Sequence, residues 1–164
     1  MEPVINALKL LLVAGKMDET RLNQLLKNIP RYQGSFALDE LKNVEIKTFP
    51  EYIVINLENR GEPGNHWIAL AIYQRYVYVC DSLGGILPDN KFPTALINFL
   101  HILLFSRTLV ISKQLQPLDS DKCGEYCVVF IKEMSRHNSF SSFMKLFSTN
   151  LRQNDQIISF LRSQ

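Results

Sequence analysis

The sequence contains few cysteines, and their number and spacing exclude two classes of small protein. Among 164 residues the cysteines are Cys80, Cys123 and Cys127. An odd and sparse set is not a disulfide framework, and free thiols are expected in a reducing compartment such as the cytoplasm or nucleus. Cys123 and Cys127 can lie one helical turn apart. Because neither a nearby histidine nor a second cysteine pair completes four zinc ligands, we expect no metal site.

Long apolar runs and a strong net charge are also missing. The most apolar stretch, from Phe92 to Phe105, is interrupted by Asn98 and His101 and is too short to cross a bilayer. The first residues lack a basic region followed by an apolar stretch and a cleavage site, so we expect a protein that is not secreted. A net charge of +2 does not indicate strong nonspecific attraction to nucleic acid. The length suits a single domain over residues 1–164.

The hydrophobic pattern predicts helices that flank a small sheet. Periodic or apolar segments predict helices at Val4–Val13, Asp18–Leu26, Thr94–Ser106 and Gly124–Ser135, followed by one or two more. Runs rich in β-branched and aromatic residues predict strands at Tyr52–Leu57, Trp67–Tyr73, Tyr76–Cys80 and Thr108–Ser112. Tyr32–Val44 reads as irregular. Because three short strands follow one another, we predict the α+β class, with a small, mostly antiparallel sheet packed against helices.

Cys123 stands at the predicted start of a helix, directly before Gly124. A thiol there is close to the positive end of the helix dipole, which favours the thiolate nucleophile. Gly124 has no side chain, so a substrate backbone can approach closely, and we count it as a substrate-binding residue. A buried structural cysteine is the alternative, since free cysteines are often buried. Cys127, one turn later, is expected in the core.

His66 and Asp81 lie at the ends of two neighbouring predicted strands. His66 precedes the strand Trp67–Tyr73, and Asp81 follows the strand Tyr76–Cys80. In a hairpin whose pairing is centred on Tyr73-Gln74 the two residues face each other, although a shift of one residue in the turn would move this register. The carboxylate can then orient the imidazole of a general base. The alternatives are a hydrogen-bonded histidine at a strand end and a turn-forming aspartate before a glycine pair.

Gln116 lies in the loop that leads to Cys123. Its side-chain amide can donate a hydrogen bond to a developing oxyanion, together with the backbone N–H of the nucleophile. Gln114 competes for this role, and either residue can be a simple surface glutamine. Taken together, His66, Asp81, Gln116 and Cys123 supply a base, a group that orients it, an oxyanion donor and a nucleophile. This combination predicts cysteine protease chemistry.

Three segments resemble a known family of enzymes. They are GNHWIALA at 64–71, YVYVCDSLG at 76–84, and the stretch from Gln116 to the CGEYC run at 123–127. They resemble the adenain family of adenovirus cysteine endopeptidases, within the clan that includes proteases of ubiquitin-like modifiers. The resemblance implies a papain-like fold with a circularly shifted catalytic order, and it gives His66, Asp81, Gln116 and Cys123 the four roles above. It also implies that Trp67 walls a narrow substrate channel.

The resemblance leads to a specific functional hypothesis. We expect a viral or virus-like cysteine endopeptidase that cleaves precursor polypeptides at Gly-containing sites, because a channel walled by an aromatic ring excludes side chains. The residues require no cofactor, while the resemblance implies activation by a peptide or by DNA. We expect a monomer in the host nucleus or cytoplasm, or packaged in the virion, without membrane contact. The alternatives are a deconjugase of ubiquitin-like modifiers and a nonenzymatic binding module on the same fold.

Overall fold

The computed structural model describes residues 17–62, 66–84 and 92–164. The predicted helix Val4–Val13 lies outside these residues. The elements that they form are, in chain order, α1 (Glu19–Leu26), β1 (Tyr32–Ala37), a 3₁₀ helix (Leu38–Asn43), β2 (Glu51–Asn56), β3 (Trp67–Ile72), β4 (Tyr76–Cys80), α2 (Thr94–Leu104), β5 (Thr108–Ile111), α3 (Cys123–His137), α4 (Phe140–Met144) and α5 (Leu151–Arg162). Within the described ranges, every helix is too short or too polar to span a bilayer.

The five strands form one mixed sheet in the order β1-β2-β3-β4-β5. The three central strands pair antiparallel, whereas β1 joins β2 and β5 joins β4 in parallel. The predicted α+β class and the antiparallel core are therefore confirmed, and the two parallel pairs lie at the edges. The prediction that Tyr32–Val44 is irregular was wrong, because this stretch holds β1 and the 3₁₀ helix. Pairing with β2 outweighs the low strand propensity of its Gln, Gly and Ser residues.

Strand β3 is buried on both of its faces, which explains why it reads as a continuous apolar run. Side chains alternate between the two faces of a strand. Ala69 and Ala71 belong to the core shared with α3, whereas Ile68, Leu70 and Ile72 belong to the core shared with α2. The sheet therefore separates two apolar clusters, and α3 is the helix that packs on β3.

Helix α3 begins at Cys123, and nearly every residue of its first half is buried. The predicted helix Gly124–Ser135 is confirmed, with one more residue at its start and two more at its end. Asn138 ends the helix in the left-handed conformation, with φ of 50°, and donates its N–H to the Met134 carbonyl at 2.9 Å. The packing of α3 on β3 thus fixes the position of the Cys123 side chain.

Helix α5 braces the loop that precedes α3. Asn154 is fully buried and donates from Nδ2 to the carbonyls of Leu115 at 3.0 Å and Ser148 at 2.9 Å. Its Oδ1 accepts the Ser148 N–H at 2.7 Å. At the far end of α5, Arg162 pairs with the buried Glu125 at 2.7 Å. The chain around Gln116 is therefore held from behind by the last helix.

We predict that Asn154→Ala lowers the free energy of unfolding by about 2–3 kcal/mol, because it deletes the three hydrogen bonds of a fully buried amide. Chemical denaturation of the variant and the wild type measures the difference. Gln156→Ala, at an exposed position of the same helix, is the matched control and should change stability by less than about 0.5 kcal/mol. Equal stability of the Asn154 variant and the control would contradict this account of α5.

Candidate active site

The β3–β4 hairpin determines how His66 and Asp81 meet. The observed register pairs Ala69 with Cys80 and Ile72 with Val77, so the pairing is centred between Gln74 and Arg75. The predicted centre at Tyr73-Gln74 was wrong by one position, because the geometry of the turn sets the register. The continued register does not place His66 directly opposite Asp81. Their side chains nevertheless meet, and His66 Nε2 lies 2.7 Å from Asp81 Oδ1 in a buried contact.

Asp81 also opens a tight turn. Its Oδ1 accepts the N–H of Leu83 at 3.1 Å, and its carbonyl accepts the N–H of Gly84 at 2.8 Å. Gly84 has a φ of 79°, and a Cβ on it would lie 2.8 Å from the backbone nitrogen of Gln114. A side chain is therefore excluded there by both backbone conformation and space. Asp81 is thus a turn-forming residue and the partner of His66 at the same time.

Cys123 lines the same cavity as His66, and a hydrogen bond between the two side chains is among the causes of the raised pKa of His66. Because Asp81 occupies Nε2, Nδ1 is the ring nitrogen left for the thiol. Burial by itself would lower the pKa of His66, but the hydrogen bonds and charges of Asp81 and Cys123 outweigh it and raise that pKa to about 9. The structure therefore favours a protonated imidazole held between a carboxylate and a sulfur atom near neutral pH.

The other two cysteines have a different environment. Cys80 and Cys127 are sealed in the interior, and burial raises the pKa of both thiols well above the ordinary range. The expectation that Cys127 belongs to the core is met by its position in the cluster around α3. Cys123 is buried as well, but it lines a cavity together with His66. Cys123 is thus the thiol that a ligand in this cavity would meet.

Gln116 is almost fully buried and is held at both ends of its side chain. Its Oε1 accepts a hydrogen bond from the Ser82 hydroxyl, and its Nε2 donates to the Ser120 carbonyl at 2.7 Å. Gln114 instead donates its amide to the Gln116 carbonyl at 3.0 Å. Gln116 lines the cavity that Cys123 also lines, whereas Gln114 does not.

The cavity that these residues surround has a volume of about 200 Å³. The structure brings five of the six predicted site residues to its wall, namely His66, Trp67, Gln116, Cys123 and Gly124. Asp81 lies behind His66 and does not line the cavity. Among the described residues, no group of three or more histidine, cysteine or acidic side chains is arranged to hold a metal ion.

Met17 also lines the cavity, and sequence reasoning missed it. A Cβ on Gly124 would lie 3.0 Å from the Cβ and Cγ atoms of Met17, so Met17 occupies part of the space that we expected to be open. Asp18 caps helix α1 by accepting the Arg21 N–H at 2.8 Å. Met17, which precedes this cap, and Leu22 occupy the two positions of a hydrophobic staple. That local pattern relates Met17 to Leu22, but it does not predict the contact of Met17 with Gly124.

Comparison with known proteins gives matches at the level of structure. No protein-family profile matches the chain, and no curated protein matches it. An ASFV protease matches with a TM-score of 0.53 and 13% identity, over 90% of this chain and 67% of that one. The central domain of the uncharacterized Lpg1148 protein from Legionella pneumophila matches with a TM-score of 0.50 and 13% identity, over 90% and 94%.

A third match is HopZ1a, solved in complex with IP6, with a TM-score of 0.53 and 11% identity. It covers 84% of this chain and 49% of that one. At these identities the matches establish the fold. The chain has an α+β, papain-like arrangement, with a five-stranded mixed sheet and helices, that it shares with a protease.

We predict that Asp81→Asn lowers the pKa of His66 from about 9, because the variant loses the carboxylate charge that favours the imidazolium. The raised pKa means that protonation of His66 stabilises the fold fully below its ordinary value of 6.5, and that this contribution is lost as the pH rises through about 9. The free energy of unfolding of the Asp81→Asn variant should therefore fall less than that of the wild type between pH 6.5 and about pH 9. NMR titration of the His66 ring, with urea unfolding at each pH, measures both effects.

Asp121→Asn is the matched control for this titration. Asp121 lines the same cavity, so its replacement removes one negative charge nearby without breaking the contact between Asp81 and His66. A His66 pKa that moves equally in both variants, or in neither, would contradict the part assigned to Asp81.

Proposed function

We propose that this protein is a cysteine peptidase whose nucleophile is Cys123 and whose general base is His66. The observation that carries the proposal is the position of the His66 imidazole, which lies 2.7 Å from Asp81 and lines the same cavity as Cys123. Buried carboxylate, imidazole and thiol groups in contact are the arrangement that activates a sulfur nucleophile. The fold shared with an ASFV protease supports the same interpretation.

The arrangement of groups supports a two-step reaction. In the resting site His66 already holds the proton that it has taken from Cys123, and the sulfur attacks the carbonyl carbon of the substrate. The tetrahedral oxyanion accepts hydrogen bonds from Gln116 Nε2 and from the backbone N–H of Cys123, which has no intrahelical partner because it lies in the first turn of α3. His66 then protonates the departing amine, and water hydrolyses the acyl-enzyme.

The cavity wall favours substrates with small residues at the scissile bond. Trp67 follows His66 in the chain and Met17 packs on Gly124, so two bulky side chains line the cavity together with Cys123. Glycine is the residue that a narrow passage of this kind accepts best, because it carries no side chain. Cleavage at Gly-containing sites is therefore part of the proposal.

For the substrate we favour precursor polypeptides of a virus or virus-like element. The support is the resemblance of segments 64–71, 76–84 and 116–127 to the adenain family, together with the fold match to an ASFV protease. A deconjugase of ubiquitin-like modifiers is the second candidate, because it uses the same four residues and also needs a passage for a glycine tail. The retained set of His66, Asp81, Gln116 and Cys123 argues against a nonenzymatic binding module.

We predict that Cys123→Ala abolishes cleavage of a peptide library biased toward Gly-Gly and Gly-X-Gly sequences, because it removes the nucleophile. Turnover should fall by at least about a thousandfold, as expected when a catalytic group is deleted. Cys127→Ala deletes a core thiol of the same helix and is the matched control, with turnover retained. Full activity in the Cys123 variant, with the wild type active, would exclude this mechanism.

The two substrate classes separate in a labelling experiment. We predict that ubiquitin-like modifiers carrying an electrophilic C-terminus fail to label Cys123, while Gly-containing peptides are cleaved. Intact-mass spectrometry detects the adduct, and Cys123→Ala controls for reaction at other residues. Stoichiometric labelling of Cys123 by such a probe would favour the deconjugase over the precursor protease.

A further inference from the structure

Ser82 follows Asp81 directly and is almost completely buried. Its hydroxyl donates a hydrogen bond to Gln116 Oε1. Its carbonyl accepts the backbone N–H groups of Leu115 at 2.8 Å and Gln116 at 2.9 Å. Ser82 therefore binds both the backbone and the side chain of Gln116, although Ser82 and Gln116 lie far apart in the sequence.

These contacts determine which way the Gln116 amide faces. A backbone carbonyl can only accept, so the group that faces the Ser120 carbonyl at 2.7 Å must be the NH₂. The oxygen then faces Ser82, whose hydroxyl supplies the donor that it needs. One N–H of the amide is used by Ser120, and the second is left for a ligand in the cavity that Gln116 lines.

The same hydrogen bond acts on the donor strength of Gln116. A hydroxyl that donates to an amide oxygen polarises the amide and strengthens the hydrogen bonds that its N–H groups donate. Without that hydroxyl, Oε1 would be a buried acceptor with no donor, and the Ser120 carbonyl alone would hold the amide. The Asp81–Gly84 turn keeps Ser82 in place, because Gly84 packs against the backbone of Gln114.

We propose that Ser82 is a positioning residue that orients and polarises the Gln116 amide for the oxyanion. The inference rests on the proposed peptidase function and extends it to a residue that touches neither substrate nor thiol. It makes the adjacent residues Asp81 and Ser82 complementary, since the first orients His66 and the second orients Gln116. Substitution of Ser82 should therefore weaken the stabilisation of the oxyanion without changing the reactivity of the thiol.

A double-mutant cycle on peptide cleavage tests the proposal. Gln116→Ala should lower kcat about a hundredfold, as removal of one oxyanion donor does. Ser82→Ala should lower kcat about tenfold with KM within about twofold, and should have less than about a twofold effect when Gln116 is already alanine. Ser112→Ala is the matched control, because it deletes a buried hydroxyl bonded to the backbone of Asp81 and should have the same effect in both backgrounds.

A second readout separates the oxyanion from the thiol. A peptide aldehyde adds to Cys123 and forms an oxyanion, so Ser82→Ala should weaken its binding about tenfold. Iodoacetamide alkylates the thiol without forming an oxyanion, so its rate should stay within about twofold of the wild-type rate. If Ser82→Ala fails to fold, Ser82→Cys, which has similar volume but is a weak donor, replaces it in the cleavage cycle.

The possible outcomes distinguish failure of the role of Ser82 from failure of the proposed peptidase function. The role of Ser82 would be overturned if Ser82→Ala lowered kcat equally in both backgrounds. It would also be overturned if the variant lost aldehyde affinity and alkylation rate to the same extent. In either case, turnover by the wild type would still support the peptidase function. A wild-type protein that neither cleaves peptides nor binds the aldehyde would overturn the proposed function, and with it this inference.

Discussion

The packing of α3 against the central strand β3 is the constraint on which the site depends. Burial of Ala69 and Ala71 against α3 fixes the helix over the sheet. Since Cys123 is the first residue of α3 and His66 directly precedes β3, the same packing brings sulfur and imidazole together. A close-packed core of low compressibility is suited to holding these two side chains in a fixed geometry.

The Asp81–Gly84 turn provides the polar half of this arrangement. It directs a carboxylate toward His66 and a hydroxyl toward Gln116, and all of these groups are buried. Buried polar groups are stable only when they are paired, so each contact in the turn restricts the others. The low exposure of Asp81 and His66 strengthens the attraction between their charges, because it excludes the water that would compete for the contact.

Much of the fold is readable in the sequence where the hydrophobic pattern is strong. Strands β2, β3 and β4 and helix α3 fall close to their predicted bounds, because burial on one or two faces leaves a clear pattern. Strand β1 was missed because its residues have little strand propensity and depend on pairing with β2. The hairpin register was missed by one position, since a turn, which the apolar pattern does not specify, determines it.

In the candidate site, too, some features could be predicted from the sequence and others could not. The residue types and their order were enough to select His66, Gln116 and Cys123, which the fold brings to one cavity. The contact of Met17 with Gly124 and that of Ser82 with Gln116 join segments distant in sequence, and no local pattern encodes such pairs. The sequence therefore predicted the residues that line the cavity more readily than the residues that contact them from distant segments.

The account depends on one thiol among three being both accessible and activated. Limited alkylation of the folded protein with iodoacetamide at neutral pH, with the modified peptides mapped by mass spectrometry over time, tests this most directly. The account predicts rapid modification of Cys123, slowed in a His66→Ala variant, while Cys80 and Cys127 stay unmodified until unfolding. Modification of Cys80 or Cys127 before Cys123, or a Cys123 rate that is the same with and without His66, would contradict it.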